Sequence, residues 1–151
     1  MTQVVTNPAG TRTNLTTTAM NSLASATYVS CGIIDTHTLG AIDLVVEVEV
    51  TPGTVTAPSG CYVFAKASFD GSNYGTGPES GTTTTDEPNL KILGFLPCNT
   101  NSTLERGSFN VKDALGVIPP YLKIIIKNTT GAALASSGHA VNYTTYTGLI
   151  T

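Results

Sequence analysis

Two histidines are the first residues to weigh for chemistry. Nucleophilic catalysis by Ser, Cys or Thr needs a neighbouring base and an acid that orients it. His37 follows Asp35 by two residues in the run DTH, a spacing that puts both side chains on one face of an extended strand. Chance produces that spacing often, and His37 reads as a polar turn residue between two strands. His139 opens the last predicted strand and reads as a solvated or interface side chain. Paired carboxylates suit glycoside hydrolysis when they flank one bond, and the candidates are Glu47 with Glu49 and Asp86 with Glu87. The first pair shares the wet face of a strand, where solvation accounts for it, and the chain has no Trp for a sugar platform. Asp70, Asn73, Glu79, Asp86 and Glu87 lie on or bound one loop without the ligand order of a calcium-binding hand. Cys31, Cys61 and Cys98 are far apart, with no CxxC and no nearby His, which argues against a zinc site. They read as reduced thiols acting as small buried hydrophobes, in keeping with assembly in a reducing cytosol. The expectation is a protein that is not an enzyme, with no catalytic residue, metal site or cofactor.

The elements that must carry these residues are strands. Ile42, Leu44, Val46, Val48 and Val50 alternate with Asp43, Val45, Glu47 and Glu49, the period of a half-buried strand with one wet face. Cys61–Phe69 repeats the pattern, with Cys61, Val63, Ala65, Ala67 and Phe69 on one face, and ends at the turn dipeptide Asp70-Gly71. Leu90–Leu96, Thr103–Phe109, Tyr121–Lys127, Gly138–Thr147 and Thr27–Ile34 complete the set. Val111–Leu115 gives one helical turn at most. Seven or eight short strands between Gly, Pro, Asn and Asp turns predict an all-β fold, a jelly-roll-like antiparallel β-sandwich. A parallel sheet would need helical crossovers that the chain has no room for.

Length and charge narrow the classes further. A chain of 151 residues fits one domain and can bury a core without disulfide or metal staples. Only 11% of the residues are charged, against about 25% in an ordinary soluble domain. Net charge keeps molecules apart, so a surface of Thr, Ser, Gly, Ala and Asn repels its neighbours weakly. That suggests a subunit built to adhere to copies of itself or to a larger body. A formal charge of -3 with scattered Lys and Arg argues against nucleic acid. No apolar run reaches the ~18 residues of a membrane span, and the N-terminal residues lack the pattern of a secretory signal. The sequons at Asn14, Asn101, Asn128 and Asn142 are close to what chance gives in so Thr-rich a chain.

Two segments fall outside the strand frame. Residues 1–26 are read as an extended N-terminal arm or an edge strand, ahead of a sandwich domain over residues 27–151. The loop from Asp70 to Asn89, with the run Thr82–Thr85, is long for a compact domain and is expected to project and make a contact. Charge-free stretches occur before Asp35 and around Thr82–Thr85, and a partner is expected there.

Taken together, SFDGSNYGTGPESG, the DEPNL…LGFLPCNTNSTLERGSF block and PPYLKIIIKNTTGAAL ending in VNYTTY resemble the small β-sandwich decoration or cement proteins of tailed-bacteriophage heads. The resemblance runs from about Ile42 to Tyr146. It implies a non-enzymatic virion structural protein, assembled in the host cytoplasm and bound to the head surface. Its implied partners are the major capsid protein and copies of itself, as a trimer or a dimer, with neither nucleic acid nor membrane. That family carries no catalytic residue. The contacts expected on this reading are Arg12 and Leu15 of the arm, Tyr74, Asp86 and Glu87 of the loop, and Tyr62 and Tyr143 as aromatic anchors. A tail or fibre component and a carbohydrate-binding module are the alternatives.

Overall fold

The structure is a computed structural model and describes residues 4–7, 10–56 and 58–150. In chain order the strands are β1 (Val4–Asn7), β2 (Thr13–Thr16), β3 (Tyr28–Asp35), β4 (Ala41–Val50), β5 (Gly60–Ser68), β6 (Ser80–Gly81), β7 (Lys91–Pro97), β8 (Glu105–Asn110), β9 (Tyr121–Asn128) and β10 (Ala140–Ile150). A single helical turn, α1 (Val111–Leu115), joins β8 to β9. It starts where the Asn110 side chain accepts from the Asp113 N–H, and it stops at Gly116 in the left-handed region, as capping chemistry dictates.

The pairing is that of one long antiparallel hairpin rolled on itself. β2 pairs with β10, β3 with β9, β4 with β8, and β5 with β7. Rolling brings β4 against β10 and β5 against β9. The result is two sheets, β2–β10–β4–β8 with β1 continuing along β10, and β6–β3–β9–β5–β7. This is the jelly-roll order, so the predicted all-β sandwich is the fold observed.

Alternation fills the space between the sheets. Leu44, Val46, Val48 and Val50 of β4 face Cys61, Val63 and Ala65 of β5 and Leu122, Ile124 and Ile126 of β9, all fully buried. Burying each such side chain favours folding by about 1.5–3 kcal/mol. Two glycines let the sheets close at the β7–β8 edge. A Cβ on Gly94 would lie 2.3 Å from the Phe109 ring, and one on Gly107 would lie 3.1 Å from it.

The structure departs from the sequence reading in two places and decides a third that was open. Phe69, expected on the core face of β5, is 79% exposed. β5 stops at Ser68, whose hydroxyl accepts from the Asp70 and Gly71 N–H groups and turns the chain away before Phe69. Of the two readings of the N-terminal segment, Thr13–Thr16 takes the edge strand: it pairs with β10, and Leu15 and Met20 pack on the core. Residues 1–3 and 8–9 of the expected arm lie outside the described residues. Finally, the segment from Asp70 to Asn89 does not project. It lies down as a strap over the outer face of the second sheet.

Candidate functional site

Because successive hairpin arms alternate between the sheets, the connections divide between the two ends of the sandwich. Residues 36–40, the strap and residues 111–120 lie at one end, where the His37 N–H donates to the Pro120 carbonyl. Residues 17–27, 51–59, 98–104 and 129–139 meet at the other. Hydrogen bonds join them into one surface: Ser22 N–H to Ala135 O at 2.9 Å, Leu134 N–H to Leu23 O at 3.0 Å, Ala135 N–H to Thr51 O at 3.0 Å and Ser102 N–H to Pro52 O at 3.2 Å. Buried Asn128 anchors them, donating to Leu23 O and Ala132 O and accepting from both the N–H and the hydroxyl of Thr130. None of these four segments contains Asp, Glu, Lys or Arg. Every charged side chain of the chain lies elsewhere, on the strands, just before β2 or at the opposite end.

His139 belongs to this end, and here the sequence reading is corrected. It is 4% exposed, neither solvated nor at the surface. Its Nδ1 accepts from the Thr51 N–H at 3.2 Å, and its Nε2 lies 2.9 Å from the Ala135 carbonyl. Those partners fix the uncharged Nε2–H tautomer, so the histidine ties two loops together without adding charge. His37 is exposed, and Asp35 spends its carboxylate on the Thr38 N–H and hydroxyl, so the DTH run is a turn and not a catalytic pair.

The outer face of the first sheet holds a compact charge cluster. Arg12 looks isolated in sequence but reaches across β10 to Glu47 and Glu49 of β4, while Arg106 of β8 meets Glu49 at 2.7 Å. Arg106 sits directly opposite Glu49 in the ladder. The two carboxylates are therefore held by two guanidiniums and are not poised across a bond. Beside them is a cavity of about 160 Å³ lined by Arg12, Val45, Glu47, Ser108, Asn142, Tyr143, Thr144 and Tyr146.

The strap covers the outer face of the second sheet and explains why that face is buried. Glu79 bridges Lys66 of β5 and Lys123 of β9, at 2.8 and 2.7 Å. Glu87 receives Lys127 at 2.8 Å and the Tyr28 hydroxyl. Hydrogen bonds from Lys127 and Tyr28 hold the Glu87 carboxyl below the usual range. Leu90 closes a second small core with Tyr28, Phe64 and Ile125. Asp70 is consumed by its own turn, accepting from Ser72 and Asn73, which holds it well below the usual carboxylate range. Among the described residues no three His, Cys, Asp or Glu side chains converge as a metal-binding group. At the β7 edge the strap leaves Tyr62 and Phe95 in tilted contact, centroids 4.8 Å apart, with Ile92 56% exposed. A cavity of about 390 Å³ opens there between Phe64, Leu90, Ile92 and the strap residues Thr84, Glu87 and Pro88.

The expected contact residues therefore scatter. Arg12 is engaged in ion pairs and Leu15 packs against Gly32. Tyr74 lies over the Lys123 ammonium, 4.3 Å from ring centroid to Nζ. Glu87 is tied to Lys127, and Tyr143 packs on the core. Asp86, in the left-handed region at φ 60°, and Tyr62 keep exposed surface. What the sequence reading misses is the uncharged end. Each of its four segments lies in a charge-free stretch of the sequence, 13–34, 50–65, 92–104 and 128–151, but only the roll brings the four together.

The three cysteines are free and buried. Burial pushes the Cys31 thiol up to about 12, and the hydrogen bond to Cys98 together with burial pushes Cys61 up as well. Thiolate is the reactive form; the hydrogen bond with Cys61 lowers Cys98, and its protection comes from being fully buried. A thiol-reactive disulfide reagent at pH 8 is expected to label no cysteine in the folded protein and all three after denaturation in guanidinium. Rapid native labelling of any one would contradict this packing.

Fold and surface together define a jelly-roll β-sandwich whose distinctive surface is one uncharged end. No protein-family model matches the chain, and no curated protein matches it in sequence. Among the solved structures to which the chain has a loose likeness are two from infectious bursal disease virus. One is the structure of the Gx strain, with 16% identity and a TM-score of 0.30, covering 96% of this chain and 33% of that one. The other is the VP2 subviral particle, with 10% identity and a TM-score of 0.31, covering 99% of this chain and 33% of that one. The chain spans about a third of the length of these proteins. At such TM-scores the likeness carries no argument about function.

Proposed function

We propose that this chain is a non-enzymatic virion structural protein that binds the outer surface of an assembled phage capsid, as a symmetric homo-oligomer, and stabilises the shell. The observation that carries the proposal is the convergence of four uncharged loops at one end of the sandwich. Interface cores are marked by depletion of charged residues, because each ion taken out of water costs several kcal/mol unless it is well paired. A surface of Thr, Ser, Asn, Ala and Gly held by its own hydrogen bonds meets a partner with little desolvation cost and little side-chain entropy to lose.

On this reading the major capsid protein is the partner and a trimer is the favoured self-assembly. Docking that requires the assembled shell stabilises it by mass action, and a trimer multiplies modest single contacts. The charged face of the first sheet and the strap then stay toward solvent. The resemblance of the Ile42–Tyr146 region to head decoration proteins supports the same reading. A thermal-release assay tests it. Particles lacking the protein are expected to lose their contents at a lower temperature than complete particles, and adding the purified protein back restores the difference. Equal release temperatures would reject a stabilising role.

A further inference from the structure

β7 is the outermost strand of the second sheet, and the middle of its free edge is apolar. The Cys98 N–H donates to the Ser59 carbonyl at 2.8 Å, and the ladder to β5 continues through Cys61–Leu96 and Val63–Gly94. Bonding groups alternate along an antiparallel strand, so Gly94 and Leu96 bond to β5 while Phe95 and Pro97 turn their backbone groups away from it. Proline has no N–H, which leaves the N–H and C=O of Phe95 at the edge. The Phe95 ring is 41% exposed and lies against Tyr62, 37% exposed, on the outer face of the sheet, with Ile92 56% exposed on the same face. Natural edge strands resist pairing by carrying a charge, a bulge or a proline. Here the bulge at Leu93 and Pro97 blunt only the ends, and Phe95 stands between them.

We propose that β7 pairs with β7 of a second copy about a two-fold axis at Phe95, joining the two second sheets into one. Three observations choose this occupant. On such an axis Phe95 faces its own counterpart and the two exchange both hydrogen bonds, so the free N–H and C=O are satisfied and nothing is asked of Pro97. The axis keeps both outer faces on one side, so the Tyr62–Phe95 stripes meet across it and their exposed apolar surface leaves water. The charges agree as well. Lys91 opens β7, and Glu105 opens β8 just beyond the level where Leu96 Cδ1 would lie 3.0 Å from a Cβ on Gly107. Among the described residues neither has a salt-bridge partner. Antiparallel pairing lays the start of one β7 along the end of the other, which brings Lys91 of each copy beside Glu105 of its mate. Opposite charges at the two ends of one edge are complementary to their own two-fold image. A two-fold contact closes on itself, so this assembly is a dimer in place of the trimer. The inference rests on the self-assembly part of the proposed function and does not depend on shell docking.

Light scattering on size-exclusion fractions of the full chain tests it, without shells and over a dilution series. A dimer is expected. Phe95→Asp sets two carboxylates against each other at the axis and is expected to weaken the dimer at least about 100-fold, with an unchanged circular dichroism spectrum. If that variant unfolds, the charges carry the test. Lys91→Glu and Glu105→Lys are each expected to weaken the dimer about tenfold. The double variant, and an equimolar mixture of the two single variants, are expected to regain wild-type affinity, because every charge again meets its opposite. A chain that stays monomeric at every concentration would leave the edge to a strand of another protein and overturn the proposal. A dimer indifferent to these substitutions would overturn it too. So would a trimer, while leaving self-assembly itself standing. A dimer that follows the charge exchange, with particle release temperatures unchanged by the protein, would uphold this contact and reject the stabilising role.

Discussion

Replacing Glu79 by glutamine is expected to destabilise the fold by about 3 kcal/mol, whereas Lys66→Met is expected to cost less than about 1 kcal/mol. The asymmetry follows from where the charges sit. Lys66 is 5% exposed, and its ammonium has the Glu79 carboxylate at 2.8 Å and the Gly77 carbonyl at 3.0 Å. Removing the carboxylate strands a buried cation and also deprives Lys123 of its partner. Breaking a buried pair from one side costs about 3–5 kcal/mol, and the partial exposure of Glu79 sets the lower figure. Removing the cation instead leaves Glu79 paired with Lys123, and methionine fills the space of the lysine stem. For a chain of this size about 3 kcal/mol corresponds to a melting temperature roughly 6–12 °C lower.

The same pair carries a pH signature. Burial raises the Glu79 carboxyl, but hydrogen bonds from Lys123 and Lys66 outweigh it and leave the group below its ordinary value. A depressed carboxyl contributes stability that is complete above the unfolded-state pKa and fades as pH falls through the folded one. The gap between wild type and Glu79→Gln is therefore expected to be widest near neutrality and to close in acid. Calorimetric melts across that range measure both effects. A gap that is flat with pH would mean that the strap is not held by this carboxylate.

Placing one charge on the uncharged end is expected to weaken particle binding at least about 100-fold without unfolding the protein. Thr54, Thr100 and Ser136 are exposed loop positions there, so Thr54→Lys, Thr100→Glu and Ser136→Glu are tolerated by the isolated chain. Docked against a shell, each would bury an ion without a partner, a penalty of several kcal/mol, and every 1.4 kcal/mol is tenfold in affinity. Thr83→Glu, on the exposed part of the strap, is expected to stay within about threefold of wild type. Co-sedimentation with shells stripped of the protein measures all four. Equal losses at both sites would indicate general electrostatic repulsion instead of a docking surface.

The strands are legible because their information is local. Leu44, Val46, Val48 and Val50 alternate with polar neighbours and are buried as the period demands, and Val111–Leu115 forms the single predicted turn of helix. β2 is ambiguous in sequence because TNLT is short and polar; its strand state comes from the β10 edge it joins. The strap reads as a projecting loop because its anchors are distant in sequence. Nothing near Glu79 announces Lys123, and nothing near Glu87 announces Lys127 and Tyr28. The uncharged end and the Asn142 cavity are further examples. Each is made by strand order, which brings residues from opposite halves of the chain together, and no window of sequence contains either.

Hydrogen–deuterium exchange of the protein free and bound to assembled shells tests the central claim most directly. The account predicts added protection in residues 17–27, 51–59, 98–104 and 129–139, with little change in residues 70–89 and on the outer face of β4. Protection confined to the strap or to the β7 edge, with the four loops exchanging as in the free protein, would contradict it.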